Sequence, residues 1–207
     1  MSGKKVIVMD ASPLLRAGLQ GLLSEQGHQV VAQFGTMDEL LEKCSLCNAD
    51  LIIMEHLQQQ PDVFSSLAQL IKHTPDIPVM ILSSSSSDFH IQLSKKAGAS
   101  GYINKSSTLD NITSAVNKVT SGQFCYGNEL RLHRTKYPRD ASLLLSLSHT
   151  DICILRYISA GYSNQVIAAI MNTNNKRVSA YKKRIMLKFK ISKLTELVDL
   201  AKRNYLY

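Results

Sequence analysis

LSHTDICILRYISAGYSNQVIAAIMNTNNKRVSAYKKRIMLKFKISKLTELVDL, residues 147–200, is the stretch that decides how this chain is read. Apolar residues recur there at helical spacing in three runs: Ile152, Leu155 and Ile158, then Val166, Ile167 and Ile170, then Val178, Ile185 and Phe189. Each run predicts a short amphipathic helix. Gly161 follows the first as a helix stop, and Ser163 before the second and Asn174 or Asn175 before the third are residues that cap helix starts. Only the tight turn MNTNN, residues 171–175, separates the last two, which is the spacing of a helix-turn-helix pair. Beyond them, Leu194, Leu197, Val198 and Ala201 fall at i, i+3, i+4 and i+7, a narrow apolar stripe that suits either a core-facing helix or a helix joining two copies of the domain.

Charge separates this region from the rest. Residues 1–122 hold 9 lysines and arginines against 11 aspartates and glutamates, a net of −2, whereas residues 123–207 hold 15 against 5, a net of +10. A concentrated positive field attracts polyphosphate by releasing its condensed counterions, so nucleic acid is the first partner to consider, ahead of an anionic membrane surface. On a helical wheel of the third helix Val178, Ile185 and Phe189 share one face. Lys176, Ala180, Lys183 and Leu187 lie broadly opposite, flanked by Arg177, Ser179 and Arg184. That outer face is expected to enter the major groove of double-stranded DNA. Lys176, Ser179, Ala180 and Lys183 are the candidates for base edges: lysine donates to guanine, serine contacts donors or acceptors, and alanine meets a thymine methyl. Arg177, Lys182, Arg184 and Lys188 are assigned to phosphates, which set position rather than sequence. Lys182 falls near the buried side of the wheel and must snorkel outward. An ordinary solvated helix face would carry the same charges; the helix-turn-helix frame around them favours DNA.

This segment resembles the LuxR-type DNA-binding domain, whose pattern reads roughly LTxREREVLxLIAxGxSNKEIAxxLxISxxTVKxHxxxIxxKLxV. Leu147, Ser148, Leu155, Ile158, Gly161, Ser163, Asn164, Ile167, Ala168, Val178, Ile185, Lys188 and Ile191 match without a gap. Thr150, Cys153, Gln165, Val166, Arg177 and Tyr181 depart from it, which bears on the target sequence more than on the fold.

Upstream, short apolar runs alternate with helical stretches: VIVM (6–9), VVAQF (30–34), LIIM (51–54), VMIL (79–82) and GYI (101–103). Such continuous runs predict a parallel sheet covered on both faces, with its functional groups at the carboxyl ends of the strands. The residues there are Asp10, Ala11 and Ser12 after the first run, Glu55 after the third, Ser83 after the fourth and Lys105 after the fifth. The constellation looks like a response-regulator receiver, and the whole chain resembles a NarL/FixJ-type response regulator. The resemblance implies a flavodoxin-like (βα)5 receiver at residues 1–122 and a four-helix LuxR-type helix-turn-helix domain at 144–207, an α/β domain followed by an all-α one; residues 123–143, which lack sustained periodicity and contain Gly127 and a Tyr-Pro-Arg-Asp turn signal, read as the linker between them.

In that family an acidic pair follows the first strand and a phosphoacceptor aspartate the third. Here Asp10 keeps the first acid, Ala11 replaces the second and Glu55 stands at the phosphoacceptor position, while Ser83, Tyr102 and Lys105 match. Phosphoryl transfer to a carboxylate relies on magnesium, a hard cation that wants oxygen ligands. Ala11 supplies none. Glu55 moves its carboxylate by about a bond length, and a misplacement on the order of 1 Å costs roughly a hundredfold in rate. The loop HLQQQPDV (56–63) also lacks the family's Met-Pro-Gly-x-Asp-Gly run. A degenerate receiver that takes no phosphate is expected, with Glu55 either reaching toward Lys105 and Ser83 as a phosphoryl group would, or serving as a plain acid at a strand end. For residues 84–87, four further serines, a flexible polar loop is expected.

Cys44 and Cys47 form a CxxC spacing, but no second ligand pair accompanies them, so they read as small half-buried residues on one helix, and Cys153, beside the apolar face of the first C-terminal helix, reads as a packing residue. No cofactor or metal is expected. No apolar run approaches the roughly 18 residues of a membrane span, and MSGKKVIVMD lacks a signal peptide's apolar stretch and cleavage site. The chain therefore reads as a cytoplasmic bacterial transcription regulator rather than an enzyme, binding DNA as a homodimer independently of aspartyl phosphorylation. A second reading stays open, an auxiliary or antagonist subunit that forms a heterodimer with an intact response regulator.

Overall fold

Strands written VIVM, LIIM and VMIL have no polar edge to show water and fold only between two covering layers. The computed structural model describes residues 3–55, 63–126 and 138–206 and places them there. Strands β1 (Lys5–Met9), β2 (Gln29–Phe34), β3 (Leu51–Met54), β4 (Val79–Ser83) and β5 (Gly101–Asn104) alternate with helices α1 (Pro13–Glu25), α2 (Met37–Lys43), α3 (Val63–His73), α4 (Asp88–Ala97) and α5 (Leu109–Thr120). All pairings are parallel, in the order β2-β1-β3-β4-β5. Every residue of β3, β4 and β5 is buried, whereas the edge strand β2 is half-exposed. The order reverses between β1 and β3, which opens a crevice at their carboxyl ends and sets the residues after them side by side. Ser12, Thr36 and Thr108 cap α1, α2 and α5, each accepting from an amide three residues on.

The chain divides into two compact units. The second contains α6 (Pro138–Leu145), α7 (His149–Ser159), α8 (Asn164–Ile170), α9 (Asn175–Phe189) and α10 (Leu194–Arg203). Ser148 and Asp151 form a capping box at the start of α7, and Ser163 and Asn174 cap α8 and α9. Gly161, at φ +86°, turns the chain after α7 in the left-handed conformation that favours glycine. Ile154, Leu155, Ile167, Val178, Ile185, Leu197 and Leu200 are fully buried. Val178 and Ile185, each 0% exposed, gain about 1.5–3 kcal/mol apiece from burial and thereby fix which face of α9 looks outward.

The structure departs from the sequence reading in five places. Residues 138–143, read as linker, belong to α6, because Leu144 is buried and Asp140 accepts from Arg203 Nε at 2.6 Å and Asn204 Nδ2 at 3.2 Å. Those partners are distant in sequence and leave no periodic trace. At the other end Cys125, also read as linker, extends the sheet: Tyr102 N donates to Cys125 O at 2.8 Å and Cys125 N to Ser100 O at 3.0 Å. Gly101 permits this approach, since a Cβ there would lie 2.9 Å from Cys125 O. Residues 127–137 of the linker and the loop at 56–62 lie outside the described residues. Val166 and Ile170, read as apolar-face residues, are 42% and 49% exposed, and α8 packs through Ile167 and Ala168 instead. Within the serine run Ser85 is buried, not loose: its amide donates to Ser83 Oγ at 3.2 Å and its carbonyl accepts from Tyr102 OH at 2.8 Å. Cys44 is fully buried in a 3-10 turn (Cys44–Leu46) rather than half-buried on a helix, and burial pushes its thiol pKa up.

Candidate nucleic-acid interface and receiver site

The parallel sheet delivers Asp10, Glu55 and Lys105 to one crevice. Asp10 follows β1, with its amide bonded to Phe34 O at 3.2 Å; Glu55 follows β3, its amide on Met9 O at 2.8 Å; Lys105 follows β5, its amide on Ser83 O at 2.9 Å. The Lys105 ammonium lies 2.7 Å from Asp10 Oδ2 and also pairs with Glu55 Oε2. All three side chains are sheltered, 18% exposed for Lys105, 3% for Asp10 and 16% for Glu55, so water screens the triad weakly. Asp10 Oδ1 is taken by the Ser12 amide at 2.7 Å, and Arg16 donates to the Asp10 carbonyl. Ala11 is exposed and contributes a methyl group where a carboxylate would add ligands. Ser83 is fully buried, with the Ser85 amide on its hydroxyl, and Tyr102 is 1% exposed with its ring turned inward. Of the residues the sequence singled out, Asp10, Glu55 and Lys105 are therefore brought into contact, and Ser83 and Tyr102 meet through Ser85.

In the second unit, α9 carries Lys176, Arg177, Ser179, Ala180, Lys183, Arg184 and Lys188 exposed, while Lys182 is intermediate, as its place on the wheel implied. Leu187 is 68% exposed on the same outer side. Two of the cations assigned to phosphates are engaged within the protein. Arg184 Nη2 lies 2.5 Å from Asp151 Oδ1 and its guanidinium stacks on Tyr181, 4.8 Å from the ring centroid; Lys188 Nζ donates to Ser146 O at 2.7 Å. Each keeps donors to spare, since guanidinium carries five and ammonium three. Sequence reasoning missed Asp151 and Asn164. The Ser-x-x-Asp spacing of LSHTD marks a capping box and was the signal for Asp151. Asn164 Nδ2 donates to Ser179 Oγ at 3.1 Å, a contact between elements that no spacing rule exposes.

Comparison with known proteins agrees with this two-part construction. The family model of the response regulator receiver domain matches residues 6–117, and that of the bacterial regulatory proteins of the luxR family matches residues 145–201. The Fimbriae Z protein of Escherichia coli K12 is 30% identical, with 98% of each chain covered. The response regulator protein VraR of Staphylococcus aureus is 29% identical, with 95% of each covered. RcsB from Salmonella enterica serovar Typhimurium, solved bound to promoter P1flhDC with the phosphomimetic BeF3-, has the same fold at a TM-score of 0.70 and 20% identity, covering 99% of this chain and 98% of that one. The chain belongs to the response regulators. Within them it is of the NarL/FixJ type, a receiver domain joined to a luxR-family domain.

Receivers of this family imply magnesium, and the donor set here does not fit it. Ala11 offers no oxygen, and an ammonium group already lies against both remaining carboxylates. Among the described residues no group of three or more histidine, cysteine, aspartate or glutamate side chains is arranged to hold a metal ion. Also among them, no helix is long and apolar enough to cross a membrane.

Proposed function

We propose that this response regulator is a cytoplasmic transcription factor that binds specific double-stranded DNA through α9, acts as a dimer and does not depend on phosphorylation of its receiver. The observation that carries the reading is the two-sidedness of α9. Val178 and Ile185 anchor one face at 0% exposure, and Lys176, Arg177, Ser179, Ala180 and Lys183 stand exposed on the other. Exposed cations on a rigid helix neutralise phosphates and reach base edges at once. RcsB has been solved as two dimers bound to two parallel DNAs, which supports both duplex DNA and a two-fold assembly for this chain.

Independence from phosphorylation is supported by the receiver triad. The charge that phosphorylation would add near Lys105 is supplied in part by the Glu55 carboxylate, already paired with it, and the site lacks the ligands that phosphoryl transfer needs. The receiver unit is taken to run through Tyr126 and the DNA-binding unit to start at α6, with the joining segment between.

Selection of bound sequences from a random duplex library by the unmodified full-length protein tests this. It should enrich a sequence with two half-sites about one helical turn apart, with affinity falling steeply as salt rises. Absence of any enriched sequence, or an affinity indifferent to salt, contradicts it.

A further inference from the structure

Asn164 opens α8, Ser179 stands one turn into α9, and the two side chains meet across the intervening turn, Asn164 Nδ2 donating to Ser179 Oγ at 3.1 Å. A serine hydroxyl holds one proton and two lone pairs, so alone on a helix it reads donors and acceptors alike. Inside a helix the proton commonly turns back to a carbonyl four residues earlier. Thr113 and Thr120 do this here, bonding Leu109 O and Val116 O. Among the described residues Ser179 shows no such bond; its oxygen instead accepts from Asn164 Nδ2, which engages one lone pair and leaves the proton for an acceptor outside the protein.

Resting on the reading of α9 as the DNA-contacting helix, we infer that Asn164 sets the polarity of Ser179, so that the hydroxyl acts as a donor and reads a hydrogen-bond acceptor on a base edge. Guanine N7 and O6, adenine N7 and thymine O4 satisfy it, whereas the amino edge of cytosine does not. The neighbourhood has the same bias. Lys182 and Lys183 line one groove with Asn164 and Ser179, and a lysine ammonium can only donate. Asn164 is thus a positioning residue that acts on specificity through Ser179.

The test uses the full-length protein and the duplex it selects from a random library. Ser179→Ala identifies the base pair that Ser179 reads, as the one position where discrimination collapses. Asn164→Asp then replaces the donor with a carboxylate that can only accept; the Ser179 proton turns inward, its lone pairs face the groove, and cytosine becomes acceptable. At that base pair the preference should shift by about fivefold toward cytosine in Asn164→Asp and relax in Asn164→Ala, the ratio expected for one hydrogen bond of about 1 kcal/mol. An aspartate in the first turn of α8 favours the helix, so folding is retained, and the ratio between bases is unaffected by general charge repulsion. Unchanged preference at that position in both Asn164 variants overturns the inference and leaves the DNA-binding reading intact. If Ser179→Ala alters no position of a selected site, the assignment of Ser179 fails on its own; if no site is selected at all, both fall.

Discussion

Arg184 Nη2 lies 2.5 Å from Oδ1 of Asp151, which fastens the outward-facing helix α9 to the capping box of α7. The other carboxylate oxygen accepts from Ser148 Oγ at 2.6 Å and from its amide at 3.1 Å. Burial works against ionisation of Asp151, but the hydrogen bonds from Ser148 and Arg184, together with the charge of Arg184, outweigh it and hold the carboxyl below the usual aspartate range. The basic face of α9 is therefore held in place by an acid that stays ionised.

A folded-state pKa below the unfolded one means that Asp151 contributes stability above the ordinary aspartate value of about 3.9 and that this contribution drains away as pH falls below it, through the folded pKa. Thermal unfolding of the second unit should show an acid-induced loss between about pH 4 and the onset of acid denaturation, reduced in Asp151→Asn. At neutral pH Asp151→Ala should cost about 1–2 kcal/mol, the worth of a helix cap and one charged hydrogen bond. Equal acid sensitivity in wild type and Asp151→Asn contradicts this.

The proposed reading gives Lys183 to a base edge and Arg177 to a phosphate. Lys183→Ala should cost about 1–3 kcal/mol at the selected site and relax discrimination at one base pair, while Arg177→Ala weakens all sequences alike and lowers the salt slope by about one. Fluorescence anisotropy on the selected site and on scrambled duplexes measures both. Uniform weakening by Lys183→Ala would make it a phosphate contact.

In the receiver, Lys105→Ala leaves two sheltered carboxylates facing each other without a cation, which should destabilise the domain by about 3 kcal/mol. Glu55→Gln keeps the Asp10 pair and should cost under about 1 kcal/mol. Denaturant unfolding gives the two values. If the Glu55 charge sustains the regulatory state, Glu55→Gln impairs dimer formation on DNA despite its small effect on stability, and unchanged assembly would leave Glu55 a bystander.

Much of this was legible in the sequence because short-range rules governed it. Continuous apolar runs gave β1 to β5, and Gly161, Ser163 and Asn174 punctuated the end of α7 and the starts of α8 and α9 where single-residue chemistry predicts. Asp10, Glu55 and Lys105 were among the six residues picked out by strand ends, since parallel topology brings carboxyl ends together whatever the intervening sequence, but the contact of Glu55 with Lys105 was one of two alternatives. What escaped depended on partners remote in the chain. Helix α6 is tied down by Arg203 and Asn204, Cys125 joins the sheet because Gly101 lets it approach, and Asn164 meets Ser179 only once α8 and α9 have packed. The exposure of Val166 and Ile170 escaped for a related reason: a two-turn helix offers too few residues for periodicity to fix its buried face.

The most direct measurement of the central claim follows one sample of full-length protein before and after acetyl phosphate with magnesium, by intact mass and by titration of the selected duplex. With Ala11 beside Asp10 and the Lys105 ammonium between Asp10 and Glu55, the mass should not change and the two binding curves should superimpose. A stoichiometric gain of one phosphoryl group that is lost in Glu55→Gln and accompanies tighter binding would contradict it.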